Sequence, residues 1–245
     1  MNTLRSQLSP APTGILQTKL HPPHIRTGVI PRQQIFGQLH EQDFRLLLVT
    51  APAGFGKSIT TRSWLADTGL QFTWLSLDEH DNDQKRFVAY LIAAFRQLDG
   101  SIGEVTLEML SSDSLPAIDS LLTPVLNDLF QLSEEVILIL DDYHLIESPK
   151  IHDTVRFLID QLPPNIRLGI LTRVDPPFPV SKYRARGDLA EIREQDLRFT
   201  EEETERFLNV EMKLDLAEKN LKTLNEKTEG WAAGLQLASL SIQLQ

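Results

Sequence analysis

Four short, largely apolar runs divide the chain up to about residue 200. They cover residues 46–51, 72–77, 136–140 and 168–172, with the sequences LLLVTA, FTWLSL, VILIL and LGILT. A continuous apolar run of this length is typical of a strand that is buried on both faces of a parallel sheet. A weaker run at residues 190–193 indicates a short fifth strand.

Stretches with apolar residues at helical spacing lie between these runs. They predict helices over residues 57–67, 86–98, 117–130 and 152–162, and Pro124 is expected to kink or split the third of them. A short helix that contains Ile35 and Leu39 is expected before the first strand. The alternation predicts an α/β fold in three layers, with helices on both faces of a parallel sheet.

The pattern changes at both ends of this region. The polar residues 1–15 predict a loose arm. After Phe199, Thr200 and Glu203 have the spacing of a capping box, and only helices are predicted from there onward. The chain is therefore predicted to hold an α/β domain over residues 1–199 and a small all-helical subdomain over residues 200–245.

The first candidate binding residues lie where the first strand ends, in the sequence APAGFGKS over residues 51–58. Its last three residues match the P-loop pattern G-x-x-x-x-G-K-[ST], while Ala51 replaces the first glycine. Small residues and glycines let backbone N–H groups wrap around phosphates, and the helix N-terminus adds partial positive charge. Lys57 is expected to reach the β- and γ-phosphates, and Ser58 to ligate Mg²⁺. A plain strand-to-helix turn is the alternative, and Ala51 is expected to need a backbone angle that glycine adopts more easily.

Charged residues follow the third and fourth strands. Asp141 and Asp142 end a run like that of a Walker B strand, so Asp141 is the expected Mg²⁺ carboxylate, and Asp142 would orient or deprotonate the attacking water. Arg173 is expected to sense the γ-phosphate, because ligands bind at the carboxyl ends of the strands in such sheets. The alternatives are a solvated strand end for the aspartates and a surface arginine before a proline turn.

Composition narrows the possible functions. A net charge of −10 disfavours binding to polyanions such as DNA. The absence of cysteine excludes disulfides, zinc–thiolate sites and cysteine nucleophiles. No apolar run is long enough to span a bilayer, and the N-terminus lacks the apolar core of a secretory signal, so we expect a cytoplasmic protein without membrane contact.

Three other features are read as structural. The six histidines lack metal-ligand spacing on a helix face, and Trp74 and Trp231 are expected to be packing residues. The acidic stretch at residues 78–87 is similar to a calcium loop but lacks its glycine and terminal glutamate, which favours a solvated loop.

The motifs together identify a family. The chain resembles the nucleotide-binding part of large bacterial transcription activators of the maltose-regulon-activator type, which are signal-transduction ATPases with numerous domains. The matching stretches cover nearly the whole chain and are TKLHPP with VIPR, APAGFGKS, TWLSLDEHDND with RFVAYL, ILILDDYHLI, LTRVDPPFP, YRARGDLAEIREQDLRFTEEE and TEGWAAGLQLA.

This resemblance implies a P-loop NTPase sheet with strand order 5-1-4-3-2 and a sensor role for Arg173 beside the γ-phosphate. It implies an adenine pocket lined by the VIPR stretch. It also places Gly230 and Trp231 where related proteins have a Gly-x-Pro motif that packs on the nucleotide, with Ala232 in place of the proline. The residues expected to bind ATP or ADP are Val29, Ile30, Arg32, Ala53, Gly54, Phe55, Gly56, Lys57, Ser58 and Ile59. The expected catalytic residues are Asp141, Asp142 and Arg173, and the expected metal ligands are Ser58 and Asp141.

Proteins of this family continue into a winged-helix domain, a helical repeat sensor and a C-terminal LuxR-type helix-turn-helix. None of these domains is expected within the 245 residues, so the chain is expected to be a fragment, and DNA contact is expected only through a domain that it lacks.

The leading hypothesis is a regulatory switch. ADP would hold a closed monomer, ATP with an inducer would permit self-association, and slow hydrolysis would reset the switch. The alternative is a P-loop ATPase or phosphotransferase with steady turnover. A third hypothesis is a scaffold with a degenerate P-loop that binds no nucleotide, for which Ala51 is the only support.

Overall fold

A computed structural model of the protein describes residues 14–24, 28–112 and 114–244. The loose arm predicted for residues 1–15 lies almost entirely outside these ranges. The described chain contains five strands, β1 (Leu46–Thr50), β2 (Gln71–Ser76), β3 (Val136–Asp141), β4 (Ile166–Thr172) and β5 (Leu189–Arg193). All neighbouring strands pair in parallel, in the order β2-β3-β4-β1-β5. This is the predicted order 5-1-4-3-2 read from the opposite edge, so the predicted sheet is confirmed.

Helices precede, separate and follow the strands. They are α1 (Gln33–His40), α2 (Lys57–Thr68), α3 (Gln84–Phe95), α4 (Glu104–Leu110), α5 (Ile118–Phe130), α6 (Pro149–Gln161), α7 (Ser181–Arg186), α8 (Glu194–Leu197), α9 (Glu201–Glu205), α10 (Glu218–Thr228) and α11 (Ala232–Gln243). A π-helical segment, Arg206–Glu211, continues α9, and short 3-10 turns occur at Gln17–Leu20, Glu79–Asn82 and Tyr143–Leu145.

Pro124 lies inside α5, but the helix is not split there, contrary to one of the two expected outcomes. The missing N–H of Pro124 leaves the carbonyl of Ser120 without its usual helical donor. Because Ser120 is exposed, water can bind that carbonyl instead. An exposed helix face therefore accommodates the proline.

The two faces of the sheet carry separate apolar cores, because successive side chains of a strand point to opposite faces. Leu46 and Leu48 of β1 lie in one core with side chains of α3, α5 and α6. Leu47 and Val49 lie in the other core with side chains of α1 and α2. All four side chains are buried. Burial on both faces explains why the strands appear in the sequence as uninterrupted apolar runs.

A third apolar core belongs to the helices after β5. Phe207, Leu208, Leu221 and Leu235 pack together there, and Ile30 from the N-terminal segment packs with them. The capping box predicted at the beginning of α9 is present: the Thr200 side chain accepts a hydrogen bond from the Glu203 N–H, and the Glu203 carboxylate accepts one from the Thr200 N–H. The N-terminal segment thus contributes to the core of the helical part.

Candidate nucleotide-binding site

The loop between β1 and α2 is shaped by two glycines. Gly54 and Gly56 have φ angles of 82° and 78°, in the left-handed region that side chains with a Cβ rarely adopt. Gly56 is the N-cap of α2. Ala51 is not among the described residues with positive φ, so the expectation that it needs an angle better suited to glycine was wrong. Alanine in the first position of the motif therefore does not strain this loop.

Backbone donors are concentrated in this loop. Among the described residues, the structure shows no protein acceptor for the N–H groups of Gly54, Phe55 and Gly56. The first N–H groups of α2 have no partner within the helix, as at any helix N-terminus, and the N-cap Gly56 has no side chain to cap them. Unpaired N–H groups together with the positive end of a helix dipole form an anion-binding site.

The register of the sheet places charged residues beside this loop. Thr50 pairs with Thr172, and the N–H of Ala51 donates to the Thr172 carbonyl at 3.2 Å, so Arg173 follows β4 next to the loop. Ser76 at the end of β2 pairs with Asp141 at the end of β3. The carboxyl ends of four strands therefore meet at one edge, as expected for a ligand site in a parallel sheet.

A cleft of about 670 Å³ opens at this edge. It is lined by most of the residues that the sequence predicted for the site, which are Ala53, Gly54, Gly56, Lys57, Ser58, Ile59, Asp141, Asp142 and Arg173. Ser76 also lines the cleft, as do Thr18, His21, Pro22 and Pro23 of the N-terminal segment, and the prediction included none of these. The structure thus brings the P-loop and Walker B residues together.

Lys57 is buried at the beginning of α2. Its ammonium group donates to the carbonyls of Ala51 at 2.8 Å and Pro52 at 3.0 Å. Burial lowers the pKa of Lys57 from its ordinary value, while the nearby carboxylates of Asp141 and Asp142 act in the opposite direction. An anion in the cleft would offset the desolvation of this ammonium, which favours phosphate binding at this position.

Ser58 and Asp141 form a hydrogen-bonded pair. The Ser58 hydroxyl donates to Oδ1 of Asp141 at 3.0 Å. Two adjacent oxygen ligands of Mg²⁺ lie about 2.9 Å apart when each metal–oxygen distance is about 2.1 Å. The two side chains therefore already have the separation of neighbouring Mg²⁺ ligands, and the predicted metal pair fits this geometry.

Burial changes the chemistry of Asp141. Its side chain is almost fully buried, and this desolvation raises its pKa from 3.8 to about 6, although the hydrogen bond from Ser58 opposes the shift. A divalent cation would offset the cost of the buried negative charge. A raised carboxylate pKa beside a lysine and unpaired backbone donors is the kind of perturbation that functional sites show.

Asp142 and His144 lie next to the predicted metal carboxylate. Asp142 has a left-handed conformation with φ 57°, which is uncommon for a residue with a side chain. Its carboxylate is half-exposed and lies 3.9 Å from Nδ1 of His144. Burial lowers the pKa of His144, and the positive charge of Arg173 adds to this effect. His144 was not among the residues predicted for the site, and its position two residues after Asp142 is the only signal for it in the sequence.

Arg173 is exposed on the wall of the cleft. Within the described ranges, the structure shows neither an ion pair nor a hydrogen bond for its guanidinium group. The group is thus available to bind an anion in the cleft.

Four predicted nucleotide ligands do not line this cleft, namely Val29, Ile30, Arg32 and Phe55. Ile30 belongs to the core of the helical part. The Phe55 ring is buried against Trp231, with ring centroids 6.5 Å apart, and lies near Arg198. The structure therefore places the side chains of Ile30 and Phe55 in packing positions.

Arg32 has a structural role in this arrangement. Its Nε donates to Glu203 at 2.9 Å. Its terminal nitrogens donate to the carbonyls of Asp196, Leu197 and Arg198 at 2.7 to 2.8 Å. Burial lowers the pKa of Arg32, and Glu203 opposes the shift. The side chain joins the N-terminal segment to the beginning of the helical part, and this leaves little capacity for a nucleotide contact.

The helical part touches the phosphate loop directly. The indole N–H of Trp231 donates to the Ala53 carbonyl at 3.2 Å, and the N–H of Ala233 donates to the Gly54 carbonyl at 3.1 Å. A Cβ added to Gly54 would lie 2.6 Å from Nε1 of Trp231 and 2.7 Å from Cβ of Ala233. The loop that would bind phosphate is therefore also a docking surface for the helical part. Trp231 is a packing residue, as predicted, and also a hydrogen-bond donor.

The acidic stretch after β2 is not simply a solvated loop. Asp81 is fully buried, where it forms ion pairs with Lys19 and Arg86. The solvated-loop prediction was wrong for Asp81 because its partner Lys19 lies 62 residues away in the sequence. No group of three or more histidine, cysteine, aspartate or glutamate residues is placed to hold a metal ion in the part of the chain that the structure describes.

Comparison with curated proteins gives a relative at substantial identity. Over 228 residues the chain is 33% identical to the HTH-type transcriptional regulator MalT of two strains of Klebsiella pneumoniae. The match covers 93% of this chain but 25% of MalT, so the chain spans about a quarter of the length of these relatives. No protein-family model matches the chain.

Solved structures support the same fold. A Walker-type ATPase of Pyrococcus abyssi is similar with a TM-score of 0.56 and 18% identity, over 86% of this chain and 68% of that chain. Cdc6p from Pyrobaculum aerophilum gives a TM-score of 0.57 and 17% identity, over 94% and 66% of the two chains. At these identities the comparison shows the fold, which is that of P-loop ATPases. No helix in the described ranges has the length and apolar character to cross a membrane.

Proposed function

We propose that this chain is a module that binds ATP or ADP with Mg²⁺ and acts as a switch. Over 93% of the chain it is similar to part of the HTH-type transcriptional regulator MalT. The observation that carries the proposal is the cluster at the end of β1. There a buried lysine, unpaired loop N–H groups and a serine–aspartate pair share one cleft with an exposed arginine. This combination fits a polyphosphate with its metal ion.

Five side chains of the cleft have roles in this proposal. Lys57 binds the β- and γ-phosphates, Ser58 and Asp141 hold Mg²⁺, and Arg173 binds the γ-phosphate. Bound Mg²⁺ would neutralise charge on the phosphate oxygens. Asp142 orients the attacking water from its half-exposed position beside the metal carboxylate.

The nucleoside would lie toward the helical part, next to Val29 and Ile30. These two residues remain proposed adenine contacts through their backbone, since the Ile30 side chain is used in packing. We also propose a domain boundary near residue 200, which the capping box at Thr200 supports.

The switch is supported by the contacts between Trp231, Ala233 and the phosphate loop. A ligand shifts a conformational equilibrium only if it binds one state more tightly than the other. Because the loop would hold phosphate and also holds the helical part, a change of nucleotide can alter the free energy of docking. ADP favours the docked monomer, and ATP with an inducer favours self-association, with slow hydrolysis as the reset. DNA would be bound through another part of such a regulator, in the cytoplasm.

A P-loop ATPase or phosphotransferase with steady turnover is the second candidate. The half-exposed carboxylate of Asp142 beside the Ser58–Asp141 pair is the observation that favours it, because it can act as a general base.

Two measurements on the purified chain separate the candidates. The switch predicts ADP or ATP released by acid from the protein as isolated, and ATP turnover well below about 1 s⁻¹. Steady turnover at or above that rate, abolished by Asp142→Asn, would favour the catalytic candidate. Failure of the chain to bind either nucleotide would reject both.

A further inference from the structure

The nucleotide cleft has a wall that the P-loop and Walker B residues do not form. Thr18, His21, Pro22 and Pro23 line this wall. We call residues 21–24 the strap. No residue of the strap belongs to the phosphate-binding or acidic motifs, so the strap is a distinct part of the cleft.

A buried ion-pair cluster fixes the chain just before the strap. Lys19 is 7% exposed, donates to Asp78 at 2.9 Å and also pairs with Asp81. Asp81 is fully buried and accepts a second hydrogen bond, from Nε of Arg86 at 3.0 Å. Breaking such a cluster would leave an unpaired buried charge, which is costly. The cluster therefore holds the beginning of the strap against the α/β core.

Further contacts fix the segment on both sides of the strap. The N–H of Leu16 donates to the Tyr90 hydroxyl at 3.1 Å, and Leu20 is buried in the apolar core. Beyond the strap, Ile30 is held in the core of the helical part. The strap thus lies between two anchored points, one on the α/β core and one on the helical part.

The position of the strap indicates which end of a nucleotide it would meet. The 3-10 turn before it packs on β2, at one edge of the sheet. Beside it in the cleft lie Ser76, Asp141 and Arg173, which follow or end β2, β3 and β4. Trp231 of the helical part contacts the loop at the Ala53 carbonyl and does not line the cleft. The strap therefore borders the metal and terminal-phosphate end of the cleft rather than the nucleoside end.

His21 is the strap residue with a side-chain donor in the cleft. Its side chain is exposed, and the structure shows no hydrogen bond from it to any described residue. Pro22 and Pro23 follow it, and proline restricts φ and the conformation of the residue before it. The imidazole is thus carried on a stiff segment with a fixed starting point.

We propose that His21 binds the terminal phosphate of a nucleoside triphosphate and so distinguishes it from a diphosphate. This inference rests on the proposed nucleotide site. An imidazole N–H donates to a phosphate oxygen as a charge-assisted hydrogen bond, which is stronger than a bond between neutral groups. The anchored strap keeps the imidazole in place before the ligand arrives, so less entropy is lost on binding.

The test is a calorimetric titration of the chain with Mg-ATP and with Mg-ADP. His21→Ala is expected to weaken ATP binding about tenfold while changing ADP binding less than about twofold, because a hydrogen bond to a charged group has this order of magnitude. His21→Gln keeps an N–H donor and is expected to recover part of the loss. His24→Ala is the matched control, since His24 is an exposed strap histidine that does not line the cleft.

The possible outcomes separate this inference from the proposed function. Wild-type binding that Lys57→Ala weakens, together with unchanged ATP binding by His21→Ala, would overturn the inference and leave the nucleotide site intact. Equal losses of ATP and ADP affinity in His21→Ala, or equal losses in the His21→Ala and His24→Ala variants, would also overturn it. A wild-type chain that binds neither nucleotide would instead refute the proposed function.

Discussion

Replacing Asp141 by asparagine should stabilise the protein without nucleotide while removing its Mg²⁺-dependent binding. The amide oxygen of the new side chain would still accept the hydrogen bonds that Oδ1 of Asp141 receives from Ser58 and from the Asp142 N–H, each at 3.0 Å. The substitution removes only the buried charge. The pKa of Asp141 is raised from 3.8 to about 6, and one pH unit corresponds to about 1.4 kcal/mol. We therefore expect a gain in the free energy of unfolding of about 3 kcal/mol above pH 7.

The sign of this effect gives it a characteristic pH dependence. A carboxyl group whose pKa is higher in the folded than in the unfolded state contributes stability below pH 4, and this contribution is lost as the pH rises through about 6. The advantage of Asp141→Asn should therefore be close to zero at pH 4 and fully developed above pH 7. Asp43→Asn, at a fully exposed carboxylate away from Asp141, is the matched control.

Urea unfolding at pH 4, 5, 6 and 7.5 without nucleotide measures the effect. With a slope of about 3 kcal/mol per M for a chain of this size, the midpoint of Asp141→Asn should rise by about 1 M at pH 7.5. A midpoint equal to or below that of the wild type at pH 7.5 would refute the reasoning, since the buried carboxylate would then not be costly.

Three further predictions follow from the geometry. Gly54→Ala should destabilise the protein by about 1–3 kcal/mol and shift Trp231 fluorescence, because Gly54 has a positive φ and an added Cβ would clash with the indole. The control Gly37→Ala in α1 should be neutral or stabilising. Urea unfolding compares the two variants, and equal stabilities would contradict the docking contact. Arg32→Lys should lower the free energy of unfolding by about 2–4 kcal/mol, because a lysine ammonium cannot make all the hydrogen bonds that the guanidinium donates to three carbonyls and a carboxylate. An unchanged melting curve would contradict this structural role of Arg32. The affinity for Mg-ATP should fall by up to about tenfold per pH unit below pH 6, because Asp141 takes up a proton there. An affinity that is constant from pH 5 to 8 would contradict the role of Asp141 as the metal carboxylate.

The sheet and the central site residues could be predicted because their signals are local. Burial on both faces makes each strand an apolar run, and the residue after such a run lies at the edge where ligands bind. Asp141 ends β3, Arg173 directly follows β4, and Lys57 begins the helix after the β1 loop. The structure brings all three to one cleft. The strand order came from the family resemblance, since the order of strands is not encoded in any one of them.

The remaining features depend on contacts between residues that are far apart in the sequence. Asp81 appears in the sequence as one of several acidic residues, and only the folded chain places Lys19 beside it. Arg32 belongs to a stretch associated with the adenine pocket, but its guanidinium group contacts residues more than 160 positions later. The orientation of Phe55 toward Trp231 likewise depends on the docking of the helical part. Sequence patterns indicate which residues bear chemistry, whereas the direction of each side chain is set by its tertiary neighbours.

The central claim is that the loop after β1 holds a polyphosphate, and calorimetric titration with Mg-ATP and Mg-ADP tests it most directly. The protein should first be freed of any bound nucleotide. The wild-type chain is predicted to bind one nucleotide per chain, and Lys57→Ala is predicted to lose most of that affinity while its fold is retained. Undiminished binding of both nucleotides by a folded Lys57→Ala variant would contradict the assignment of the site.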